Sequence, residues 1–88
     1  MAEIKVIKKS DDGYKMILEA FVDDQAFLVE LENDYWQKLT QGKIEPEALV
    51  RKSFEFLLAR EPKESILRSF NLKEINTYFP EYEEEIRK

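Results

Sequence analysis

The sequence predicts an α+β fold: a three-stranded antiparallel β-meander followed by three to five short α-helices packed on one sheet face. Two observations carry this reading. Apolar residues alternate at period two over the first third of the chain. Helix-starting signals, proline and capping residues ahead of apolar runs, recur over the remainder.

The strands are expected at about residues 3–9, 14–22 and 26–32. Ser10-Asp11-Asp12-Gly13 and Asp23-Asp24 supply the two turns, with Gly13 suited to the positive φ that closes a three-residue hairpin loop. A two-residue turn at Asp23-Asp24 pairs Ala20 with Phe27, Leu18 with Val29 and Met16 with Leu31, all apolar and facing one way. The same register sets Lys15 opposite Glu32 on the other face. With Asp11-Asp12-Gly13 as the first loop, Val6 falls beside Leu18 and Ile4 beside Ala20. One apolar sheet face results, and it needs a cover.

Helices are expected at about 35–41, 46–60, 63–70 and 72–79, with 81–87 a frayed final helix or a disordered tail. Asp34 is placed to cap the first, Gln37 completes a capping box, and Gly42 stands where that helix should end. Pro46 opens the second, with Ile44 and Leu49 as a hydrophobic staple. Its wide apolar stripe marks it as the central packing helix. Pro62 opens the third, which bears Ile66, Leu67 and Phe70. Asn71 and Glu74 form a capping box for the fourth, which stops before Pro80.

At 88 residues the chain is expected to form one domain, 1–88, since so short a chain buries only about 60 to 65% of its unfolded surface and cannot support two cores. Apolar residues are 43% and aromatics 12%, enough for a compact fold. There is no cysteine, so disulfides and thiolate ligands are unavailable. Met1-Ala2-Glu3-Ile4-Lys5-Val6-Ile7 lacks the basic start and long apolar stretch of a signal peptide. No later run nears the roughly 18 apolar residues of a membrane span. The expected location is therefore cytoplasmic, with no membrane contact.

Net charge is −5 with 38% charged residues, so the average field repels phosphate backbones and makes nucleic acid an unfavourable partner. Without histidine the usual general base and metal ligand are missing, and two glycines cannot write a phosphate-cradling loop. The sequence thus supplies no catalytic, cofactor-binding or metal-binding residues, no implied cofactor and no small-molecule substrate. The acid pairs Asp11-Asp12 and Asp23-Asp24 lie in hairpin turns, where Asp is favoured for its own backbone hydrogen bonds; catalysis or a hard cation is the competing reading.

Two sets of residues stand out as a candidate partner-binding surface. Tyr78, Phe79 and Tyr82 surround Pro80 near the end of the chain and are suited to docking in cis or in trans. Ile17, Phe21 and Leu28, with Ile7, point to the sheet face opposite the core, interleaved with Glu19 and Glu30. That face is either an exposed apolar patch for a protein partner or self-association, or it is covered by the C-terminal helices.

Phe27 to Glu61, with its strand, the segment Asn33-Asp34-Tyr35-Trp36, and a helix from Pro46, resembles ribbon-helix-helix repressors, which implies DNA binding as a dimer. Its outward strand residues would be Ala26, Leu28, Glu30 and Glu32, which offer no donors to base edges. The stretch Phe54 to Leu67, with Tyr78-Phe79-Pro80-Glu81-Tyr82, resembles a family of short uncharacterised prokaryotic proteins without assigned activity. That likeness brings no catalytic residues. The reading is therefore a non-enzymatic protein-interaction or assembly module, followed by a ribbon-helix-helix-like regulator and, last, a small carboxylate-based or metal-dependent enzyme.

Overall fold

A computed structural model describes residues 3–88; the first two residues of the N-terminal stretch considered above lie outside it. The architecture is α+β, with a four-stranded mixed sheet carrying helices on one face. Three strands form the expected meander: β1 (Ile4–Asp11), β2 (Lys15–Val22) and β3 (Gln25–Glu32). Two helices follow, α1 (Asn33–Thr40) and α2 (Pro46–Leu58). A short strand β4 (Ser69–Asn71) then precedes α3 (Ile75–Tyr78) and α4 (Tyr82–Arg87). The sheet order is β1-β2-β3-β4, with β4 parallel to β3.

The β2–β3 hairpin has the register that the apolar alternation dictates. Ala20 pairs with Phe27, Leu18 with Val29, Met16 with Leu31 and Lys15 with Glu32. The first six of these side chains are buried. Asp23 makes the tight turn by adopting a left-handed conformation (φ 55°), which Asp tolerates better than most residues.

The β1–β2 register differs from expectation by two residues: Val6 pairs with Ala20 and Ile4 with Val22. Asp11 joins the strand, the loop moves to Asp12-Gly13-Tyr14, and the pairing shifts at Lys9. The Asp12 carboxylate holds this loop by accepting the Tyr14 and Lys15 N–H groups at 2.9 and 2.7 Å. Because the shift is even, Ile4 and Val6 still face the core.

The expected helix at 63–70 is corrected to a 3₁₀ turn at Lys63–Ser65 followed by β4. Ile66 and Phe70 have helical spacing, and both are buried, but the free edge of β3 decides their conformation. That edge presents N–H groups that need acceptors, and the Leu28 N–H takes the Arg68 carbonyl at 2.8 Å. Phe70 then reaches the core beside Phe54, ring centroids 6.0 Å apart.

Helix α1 begins at Asn33 without a side-chain cap, so the expected Asp34 cap does not form. It ends on Gln41, which is left-handed (φ 56°), ahead of Gly42 (φ 74°). Pro46 is the first residue of α2, where its missing N–H costs nothing. Phe54 of α2 packs on Phe27 of β3 at 5.2 Å between centroids, so α2 covers the inner sheet face. The Asn71–Glu74 capping box is present: Asn71 N–H donates to Glu74 Oε2 (2.8 Å) and Lys73 N–H to Asn71 Oδ1 (3.2 Å). It opens a 3₁₀ turn before α3, and so 72–79 is only in part α-helical.

The C-terminal segment is a docked helix. Tyr82 and Ile86 of α4 are buried, and Phe56 stacks edge-on with Tyr82 (5.2 Å) and Phe79 (5.9 Å). On the outer sheet face Ile7 and Leu28 are exposed and Ile17 and Phe21 are part-buried.

Candidate functional site: an apolar groove beside the fourth strand

An apolar concavity lies where α2 ends and the chain turns into β4. Its floor is Leu57, Ile66, Phe70 and Ile75, and its lips are Leu67 and Tyr78. The cavity volume is about 410 Å³. Leu67 and Tyr78 are 55% and 67% exposed, and both border the same apolar concavity. Their placement follows from the local chain. The extended backbone after the 3₁₀ turn sends Ile66 inward and Leu67 outward. The capping box at Asn71 starts a helical segment that buries Ile75 and leaves Tyr78 on the open side.

Three carboxylate-bearing residues lie on this stretch. Glu61, half-buried, and Glu74 line the groove, while Glu64 is exposed next to it. Neither Glu61 nor Glu74 has an ionic partner among the described residues. One oxygen of Glu74 is occupied by the Asn71 N–H.

The cations of the same stretch are engaged elsewhere. Arg60 lies 3.6 Å over the Phe56 ring, donates to the Phe56 carbonyl and pairs with Glu81 at 3.2 Å. Lys63 reaches Asp23 (3.5 Å) and Asp24 (3.3 Å) at the far hairpin. Those hydrogen bonds, chiefly the one to Asp24, raise the Lys63 pKa. Lys73 pairs with Glu32 at 3.2 Å, and Arg68 sits 5.8 Å over the Phe27 ring.

The sequence-predicted surface residues separate into three groups. Tyr78 and Phe79 line the groove, the latter half-buried against Phe56. Tyr82 docks in cis and is a core residue, not part of a surface: it is fully buried, and its hydroxyl lies 2.6 Å from buried Ser53 Oγ. Burial pushes the Tyr82 pKa up. Ile17, Phe21 and Leu28 sit on the outer sheet face, Leu28 paired with Ser69 of β4; Ile7 and Leu28 are 43% and 46% exposed, while Ile17 and Phe21 are part-buried. The acids of that face are paired across strands, Lys9 with Glu19 (3.5 Å) and Lys15 with Glu30 (3.2 Å).

Leu67 was missed as a surface residue because its spacing with Ile66 and Phe70 reads as one helical core stripe. Its place on a groove lip depends on β4, which no local signal announces.

The hairpin acids act within their turns. Asp11 accepts the Gly13 N–H (2.9 Å) and Asp23 the Glu3 N–H (3.1 Å). Among the described residues no group of three or more acidic side chains is placed to hold a metal ion. In the segment resembling ribbon-helix-helix repressors, β3 is paired with β2 along one edge and, over Leu28 to Glu30, with β4 along the other. No helix is long and apolar enough to cross a membrane among the described residues.

Comparison with protein-family models, with curated proteins and with solved structures finds no match to this chain.

Proposed function

We propose that this protein is a non-enzymatic interaction module that docks a segment of a protein partner in the groove between Leu67 and Tyr78. The supporting observation is the pairing of two exposed large apolar side chains across a concave apolar floor. A folded chain gains nothing from leaving Leu and Tyr in water beside a cavity, whereas a partner's apolar side chains seated there would release the water from both surfaces.

Panning a random peptide library against the whole chain tests this. Enriched peptides should shift the amide resonances of Ile66, Leu67, Ile75 and Tyr78, and Leu67→Ser together with Tyr78→Ser should abolish binding while the fold persists. Enriched peptides that map elsewhere, or no enrichment, would refute the groove as the docking site.

A second reading, self-association through the outer sheet face, is favoured by the exposed pair Ile7 and Leu28 and by the internal neutralisation of Glu19 and Glu30. Light scattering during chromatography separates the two: a monomer at all concentrations removes self-association and leaves the groove reading untouched.

A further inference from the structure

We infer that the segment docked in the groove is cationic as well as apolar, bearing an Arg or Lys beside its apolar anchors that pairs with Glu61 and Glu74. This rests on the groove being the docking site. The argument is one of charge complementarity. Between Arg60 and Phe79 the chain carries four cations, and each is directed away: Arg60 to Glu81 and the Phe56 ring, Lys63 to Asp23 and Asp24, Arg68 toward the Phe27 ring, and Lys73 to Glu32. The carboxylates facing the groove, Glu61 and Glu74, are left without one.

Glu61 is the more telling of the two. It is half-buried in a lining it shares with Leu57 and Ile66, so an incoming apolar segment would strip water from it. An occupant with no positive charge would leave that carboxylate desolvated and unpaired, which opposes binding. An acidic occupant adds repulsion. A guanidinium or ammonium next to the apolar anchors instead makes a charge-assisted hydrogen bond as the water leaves. Glu74 holds one oxygen on the Asn71 N–H, so it is fixed in place with its other oxygen open.

The test uses the same peptide library and the whole chain. Enriched peptides should carry Arg or Lys adjacent to aliphatic or aromatic residues, although the library is unbiased. Glu61→Gln with Glu74→Gln should weaken the best of them about tenfold or more, the loss of one hydrogen bond to a charged group. It should also flatten the dependence of affinity on salt. Glu55→Gln with Glu84→Gln removes the same charge away from the groove and should leave affinity unchanged.

The outcomes are distinguishable. Neutral or acidic peptides that are blocked by Leu67→Ser but indifferent to the glutamine pair would overturn the cationic inference and leave the docking site standing. Equal losses from both glutamine pairs would overturn it as well, reducing the effect to net charge. Peptides that never touch Leu67 or Tyr78 would refute the docking site and the inference with it.

Discussion

The hydroxyl of Tyr82 lies 2.6 Å from Ser53 Oγ, both side chains fully buried, and this bond fastens the last helix to the central one. Ser53 gives its proton to the Leu49 carbonyl at 2.8 Å. Tyr82 must therefore donate to Ser53, and the two residues form one directed chain of hydrogen bonds ending on α2.

The direction of that chain makes the two truncations unequal. Ser53→Ala strands a buried phenol O–H and should cost about 1–3 kcal/mol, whereas Tyr82→Phe leaves Ser53 bonded to Leu49 and should cost about 1 kcal/mol. The double variant should be less damaging than the sum of the singles. Chemical denaturation of the four proteins decides it, and strict additivity would show that the hydroxyls do not interact.

Acid and alkali should each erode stability, for opposite reasons. Asp12 is held below the usual carboxylate range by the N–H groups of Lys15 and Tyr14, and Asp23 by the Glu3 N–H and then Lys63. Burial pushes Glu32 up, but its bonds from Lys73 and Asn71 outweigh it; Glu81 is lowered by its own backbone N–H and by Arg60. These groups bind protons more weakly folded than unfolded. Their contribution is complete above the unfolded carboxylate range and disappears as pH falls through about 4 and below. Tyr35 and Tyr82 are raised, first by burial and, for Tyr35, also by its bond to Glu83 at 2.9 Å. Their contribution is complete below the unfolded tyrosine pKa and is lost as pH rises past about 10. Melting temperature against pH should form a plateau with two falling flanks, and Asp23→Asn should make the acid flank shallower. A flat acid limb would refute the assignment.

Backbone handedness gives a pair of substitutions of opposite sign. Gln41 ends α1 in a left-handed conformation that favours glycine, so Gln41→Gly should stabilise by about 0.5–1 kcal/mol. Gly13 has φ 88° with open space around it, so Gly13→Ala meets no clash and its cost of about 1 kcal/mol is purely conformational. Thermal melts of both variants check this; destabilisation by Gln41→Gly would contradict the cap geometry.

The two faces of β3 should respond very differently. Leu28→Thr on the outer face should change stability by less than about 0.5 kcal/mol, whereas Val29→Ala, one residue on and fully buried, should cost about 1.5–3 kcal/mol. A large loss from Leu28→Thr would mean that something covers the outer face.

The parts of this fold that rest on neighbouring residues were legible in the chain. Alternation fixed which side of β2 and β3 is core, and the short turn at Asp23-Asp24 fixed their register. Pro46 and the Asn71–Glu74 box marked helical starts because each acts within one turn. What was hidden depended on distant partners. The demand of the β3 edge for hydrogen bonds turned 69–71 from helix to strand. Packing against Phe56 and the bond to Ser53 hold Tyr82 in the core, although the same Tyr78-to-Tyr82 stretch left Tyr78 in solvent. The groove inherits both surprises, so its aromatic lip was visible in the sequence and its aliphatic lip was not.

The sheet is completed by strands of very different reach. The hairpins join residues close in sequence, but Leu28 meets Ser69 across forty-one positions, and only three registered pairs hold that seam. Loop closure on that scale is slow relative to hairpin formation. The meander rests on local pairings, whereas the strand next to the aliphatic lip of the groove is held by a long-range seam. This is the margin of the sheet held by the fewest registered pairs, so a local adjustment there disturbs the least of what holds the rest together.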